Sequence, residues 1–159
     1  MASTHDSDDL GLAGDFGWAL RALSSAFQNV ARDAVADIPG GARGYLVLIA
    51  VAEENTSSQL ALANRLAIDK TQMTYVVDRL EAAGLVERAP DPADRRARIV
   101  TLTAAGRKRL SRARQDVASA EGRLLDVLEP AQRSAFRQAL TRIAEATLAP
   151  GPIGCDASG

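Results

Sequence analysis

Asp69-Lys-Thr-Gln-Met-Thr-Tyr-Val-Val-Asp-Arg-Leu-Glu-Ala-Ala-Gly84 is the stretch on which the reading of this chain turns. Met73, Val76, Val77, Leu80 and Ala83 recur at helical spacing and form one apolar stripe. Lys70, Thr71, Gln72, Thr74, Tyr75 and Arg79 occupy the other face, all able to hydrogen-bond and none required by a core. Asp69 followed three residues later by Gln72 reads as a capping box, and Gly84 supplies a left-handed stop. A short helix of this kind suits the major groove, where amide and guanidinium groups read base edges. A solvated face on an ordinary core helix explains the same residues, so the flanking segments decide.

Upstream, Ser58-Gln-Leu-Ala-Leu-Ala-Asn-Arg-Leu-Ala67 predicts a second short helix, capped by Ser57 or Ser58, with Leu62, Ala63 and Leu66 inward. Ala67-Ile68-Asp69 is then the tight link of a helix-turn-helix unit. Downstream, Leu85–Ala89 and Arg98–Leu102 are β-type runs around Pro90-Asp-Pro-Ala-Asp-Arg-Arg96. This predicts a hairpin with a basic tip, a wing. The combination is far more specific than either half.

These residues resemble the multiple antibiotic resistance regulator (MarR) family of winged-helix transcriptional regulators. The resemblance rests on Leu62-Ala-Asn-Arg-Leu-Ala-Ile-Asp69, on Val77-Asp-Arg-Leu-Glu-Ala-Ala-Gly-Leu-Val-Glu-Arg88, and on Asp94-Arg-Arg-Ala-Arg-Ile-Val-Thr-Leu-Thr103 with the following Ala104-Ala-Gly106. The family often has glycine where this chain has Ala67, and a basic residue where it has Tyr75. The resemblance implies a dimeric repressor relieved by a small, often aromatic, ligand between the dimer helices and the winged domain. Trp18, Arg21, Phe27, Arg43 and Tyr45 are the candidates for lining such a pocket, although residues like Trp18 and Phe27 are more often plain core.

Composition agrees with a mainly α fold. Apolar residues make up 47% and aromatics 4%, so Leu, Val, Ile and Ala must build the core. A net charge of −1 would disfavour nucleic acid if it were spread evenly. Residues 57–110, however, carry ten Lys/Arg against six Asp/Glu, whereas residues 1–56 carry three against eight. The positive surplus lies on the proposed reader, as a phosphate-facing surface requires. Lone His5 and lone Cys155 offer neither a metal cluster nor an activated thiol, and no catalytic constellation or cofactor motif stands out. The expectation is a cytoplasmic protein with no secretory signal and no membrane span.

Taken in order, the chain predicts an acidic disordered tail over residues 1–9 and a long helix over 10–38, with a seam of Phe16, Leu20, Leu23, Phe27, Val30 and Ala34. A more buried helix follows over Ala42–Glu54. Thr103 should cap a helix reaching about Leu128, roughly 35–40 Å long by its rise, with Leu110, Ala113, Val117, Ala120, Leu124 and Val127 as its seam. Pro130 restarts a last helix marked by Phe136, Leu140, Ile143 and Thr147, and residues 150–159 form a flexible tail. The expected fold is therefore a winged helix-turn-helix over 42–102 with dimerisation helices over 10–38 and 103–149, about six helices in all. Phe16, Leu20, Leu23, Leu124, Phe136, Leu140 and Ile143 are the expected dimer contacts.

A two-fold dimer calls for a palindromic double-stranded DNA operator, with recognition helices in successive major grooves about 34–36 Å apart. Lys70, Thr71, Gln72, Thr74, Tyr75 and Arg79 are the groove-facing set, with Gln72 suited to adenine. Arg95 and Arg96 reach for the minor groove, Asp94 orients a neighbouring arginine, and Arg88 and Arg98 contact phosphates. The competing reading is a winged-helix module that binds another protein; the basic wing favours DNA.

Overall fold

The computed structural model describes residues 11–54, 57–91, 94 and 98–148. The tails expected at 1–9 and 150–159, and the wing-tip residues Arg95 and Arg96, lie outside the described residues.

Apolar periodicity alone predicts one helix over 10–38, but the chain breaks it into α1 (Gly11–Gly14), α2 (Phe16–Ala31) and a 3-10 turn, Asp33–Val35. The first break has a local cause. Asp15 takes extended backbone, φ −74° and ψ 121°, and its carboxylate accepts from the Trp18 N–H at 2.7 Å, which starts a new helix. Only Ala31 of α2 is buried, so most of this helix's apolar side chains face outward.

The core lies where α3 (Ala42–Glu54), α4 (Gln59–Arg65) and α5 (Lys70–Ala82) meet. Val47, Leu48 and Val51 of α3, Leu62 of α4, and Met73, Val77 and Leu80 of α5 are all buried in one cluster. Each such side chain contributes roughly 1.5–3 kcal/mol on leaving water. The helix expected over 58–67 is thus shorter, but its cap is as read: Ser58 Oγ accepts from the Ala61 N–H at 3.1 Å.

The wing strands are β2 (Val86–Pro90) and β3 (Arg98–Leu102), paired antiparallel from Val86↔Leu102 to Pro90↔Arg98. A third strand, β1 (Ser57–Ser58), pairs with the other edge of β3 and gives the order β1-β3-β2. A two-residue Ser-Ser strand has no side-chain pattern to betray it; the pairing comes from chain geometry.

Helix α6 (Ala104–Leu124) begins at Thr103, whose hydroxyl accepts from the Gly106 N–H at 2.9 Å and donates to the Gly84 carbonyl at 2.6 Å. A Cβ on Gly106 would lie 1.9 Å from the Leu85 carbonyl oxygen, so only glycine permits this approach. The helix stops at Leu124, shorter than expected, at about 31 Å by its rise. Val127 therefore falls outside the seam and is exposed. Arg109 of α6 donates to Asp37 at 3.0 Å and to the Ala34 carbonyl at 3.2 Å, joining α6 to the segment after α2. That guanidinium holds the Asp37 carboxyl below its usual range of about 3.8, against a smaller opposing effect of burial.

The chain divides into one compact unit ending at Leu124 and a second starting at Leu125. The second holds α7 (Pro130–Leu148), with Pro130 in the first turn as expected. Arg133 donates to the Leu128 carbonyl at 2.7 Å and pairs with Asp126 at 2.9 Å, fastening the preceding turn to the start of α7. Among the described residues no helix is long and apolar enough to cross a membrane.

Candidate nucleic-acid interface

Helix α5 sorts its residues by face. Met73, Val76, Val77 and Leu80 are buried, which leaves Lys70, Thr71, Gln72, Thr74, Tyr75 and Arg79 exposed together on the opposite side. The helix starts firmly: Asp69 Oδ1 accepts from the Gln72 N–H at 2.9 Å. The reciprocal half of a capping box is replaced by another contact, since Gln72 Oε1 accepts from Arg43 Nη1 at 3.5 Å. At the other end Gly84 takes φ +69°, the left-handed stop read from sequence. Ala67, in the turn between α4 and α5, also has positive φ, +50°, a conformation that glycine adopts without strain and alanine does not.

The exposed side chains differ in how free they are. Tyr75 and Arg79, one turn apart, act as a pair: Arg79 Nη1 donates to the Tyr75 hydroxyl at 3.2 Å, and its guanidinium carbon lies 5.5 Å from the ring centre. Thr74 is more committed. Its hydroxyl donates to the Lys70 carbonyl at 2.9 Å and accepts from Gln59 Nε2 at 2.5 Å, so its methyl is the part left to meet a partner. A groove of about 300 Å³ lined by Gln59, Leu60, Lys70 and Thr74 opens beside it.

On the wing side, Arg98 is exposed at the start of β3, and Asp94 is exposed too. Arg88, expected at a phosphate, is engaged within the protein: it pairs with Asp78 at 2.5 Å and with Glu81, and donates to Gln59 Oε1 at 3.2 Å. Burial works against the charged form of Arg88, but the two carboxylates outweigh it and its pKa is raised. Gln59 is the residue that sequence reading passed over. Nothing in its local sequence marks it, since its link to Arg88 spans 29 positions.

The five candidate ligand residues lie on two helices, α2 and α3. Trp18, Arg21 and Phe27 are exposed on α2, whereas Arg43 reaches Gln72 on the α5 face. Tyr45 is half-buried against the core, and burial pushes its hydroxyl pKa up, with Arg114 opposing and Glu121 adding to the rise. A cleft of about 340 Å³ between α3 and α6 is lined by Ala52, Leu102, Arg107, Leu110, Ser111, Arg114 and Gln115, none of them in that set. Of the expected dimer residues, Phe16 is 78% exposed, Leu20 49%, Leu140 44% and Ile143 59%; Leu23, Leu124 and Phe136 are partly covered. Among the described residues no group of three His, Cys, Asp or Glu side chains could hold a metal ion.

Known proteins resemble this chain. The MarR family model matches residues 39–97, which run from just before α3 to the wing. The transcriptional regulator HosA of Escherichia coli is 33% identical over 102 residues, covering 64% of this chain and 76% of HosA. The HTH-type transcriptional repressor NicR of Pseudomonas putida is 40% identical over 62 residues, which span 39% of each protein. Among solved structures, CouR from Rhodococcus jostii RHA1, bound to p-coumaroyl-CoA, superposes with a TM-score of 0.74 at 26% identity, covering 91% of this chain and 99% of that one.

Proposed function

Because the chain belongs to the MarR family of winged helix-turn-helix transcriptional regulators, we propose that it works as a homodimeric repressor of a palindromic double-stranded DNA operator, released by a small phenolic or other aromatic ligand. The observation that carries this reading is the division of α5 into a buried apolar stripe and an exposed face of Lys70, Thr71, Gln72, Tyr75 and Arg79. Amide, hydroxyl and guanidinium groups at one face of a helix match the donor and acceptor pattern of the major groove. In this reading Gln72, Tyr75 and Arg79 meet bases, while Lys70, Thr71 and Arg98 meet phosphates. Arg95 and Arg96 enter the flanking minor groove; their assignment rests on sequence alone. Asp94 keeps its expected role of orienting one of them.

Dimerisation is supported by the exposed apolar side chains of α2 and α7, which a lone chain would leave in water. NicR carries the word repressor in its name, and CouR binds a coenzyme A thioester, which motivates the repressor and ligand parts of the proposal. The test is a mobility shift on the DNA flanking the protein's own coding sequence, beside an unrelated fragment of equal length. A retained band on the first alone, lost on adding phenolic acids or their coenzyme A esters, is the expected result. Equal retention of both, or of neither, rejects operator recognition and leaves the protein-interaction alternative.

A further inference from the structure

Asp78 and Glu81 place two carboxylates on the C-terminal half of the helix proposed to enter the groove, with side chains 56% and 39% exposed. Left bare, such charges repel the phosphate backbone. Both are taken up by one guanidinium from the wing. Arg88 Nη2 donates to Asp78 Oδ1 at 2.5 Å, Nη1 donates to Glu81 Oε2, and the Arg88 backbone N–H donates to Glu81 Oε1 at 3.1 Å. The same Nη2 donates to Gln59 Oε1 at 3.2 Å. Gln59 Nε2 then donates to Thr74 Oγ1 at 2.5 Å, and that hydroxyl donates to the Lys70 carbonyl at 2.9 Å. The donors and acceptors run in one direction, from strand β2 through α4 to the backbone of α5. Arg88 is only 23% exposed, so a phosphate would have to displace carboxylates already in place.

We propose that Arg88 is a positioning residue for DNA recognition and not a DNA contact: it masks Asp78 and Glu81 from the phosphates and, through Gln59, holds the wing strand and both helices of the helix-turn-helix in one arrangement. This role presupposes the DNA-binding reading above. A guanidinium suits it because one planar fork can serve two carboxylates and an amide at once, which an ammonium cannot. The role also changes what Thr74 offers, since its hydroxyl belongs to the relay and only its methyl faces the groove.

The test measures binding of a fluorescein-labelled duplex carrying the retained operator, across a series of salt concentrations. Arg88→Met should bind at least about tenfold more weakly, because two carboxylates then face the phosphates. Adding Asp78→Asn and Glu81→Gln to it should restore affinity to within about threefold, with the salt slope of the wild type. A control of equal charge, Arg88→Met with Glu129→Gln and Glu145→Gln, should stay weak. If Arg88 instead touches a phosphate, the Asn/Gln rescue fails and the slope falls by about one; that result overturns the proposal, as does an Arg88→Met variant that binds like wild type. Should circular dichroism show Arg88→Met unfolded, the Asn/Gln triple variant decides alone, by near-wild-type affinity and slope or by their loss. A wild-type protein that binds no duplex removes the DNA reading and this role together, whereas failed rescue in a binding protein removes only this role.

Discussion

Ala67 holds a backbone angle that its Cβ resists, φ +50°, at the turn that sets α4 against α5. Ala67→Gly should relieve that strain and raise stability by about 0.5–1 kcal/mol, the left-handed penalty less the extra freedom glycine gains in the unfolded chain. Thermal melts should show a higher midpoint; a lower one would mean that Ala67 packs better than its backbone suggests. Gly106 is the opposite case. Gly106→Ala drives a methyl into the Leu85 carbonyl, backbone that cannot swing aside, and should cost at least about 2–3 kcal/mol in urea unfolding. The sequence marked the Ala67 turn as a departure from its family, and the angle explains why glycine would be the easier choice there. It could not mark Gln59 or the engaged state of Arg88, because side-chain partners 29 positions apart leave no local signature.

At the scale of elements, the joints between segments carry much of the order. Thr103 both caps α6 and holds the turn after α5 through the Gly84 carbonyl, so Thr103→Val should lose about 1–2 kcal/mol while keeping shape and volume. An unchanged melting curve would show that water replaces the hydroxyl without cost. The Asp37–Arg109 joint is sensitive to acid. Its carboxyl pKa lies below the ordinary 3.8, so the stability it contributes is complete above that pH and lost as pH falls through the lowered value. The gap in melting midpoint between wild type and Asp37→Asn should therefore be open at neutral pH and close in acid; a gap independent of pH would contradict the assignment. Period-3.6 stripes and paired β runs made α3, α5, the wing and α7 legible. The break at Asp15 was not, because it lies just ahead of the seam that begins at Phe16, and a single capping carboxylate decides the matter. The early end of α6 at Leu124 was missed for a different reason: Val127 continues the apolar spacing while its side chain lies in solvent.

For the whole molecule, the proposed dimer rests on exposed apolar side chains of α2 and, separately, of α7, and the proposed DNA contact on the polar and cationic face of α5. Leu20→Asp combined with Ile143→Asp should give a monomer by sedimentation and weaken operator binding at least about tenfold, since two half-sites then bind independently. A dimer that survives both changes would place the subunit contact elsewhere. The most direct test of DNA recognition itself is the salt dependence of duplex affinity, followed by fluorescence anisotropy. Cations from two subunits should give a plot of log affinity against log salt with a slope of about −4 to −8, as bound counterions leave the phosphates. A slope near zero, with the folded protein at saturating concentration, would contradict the account.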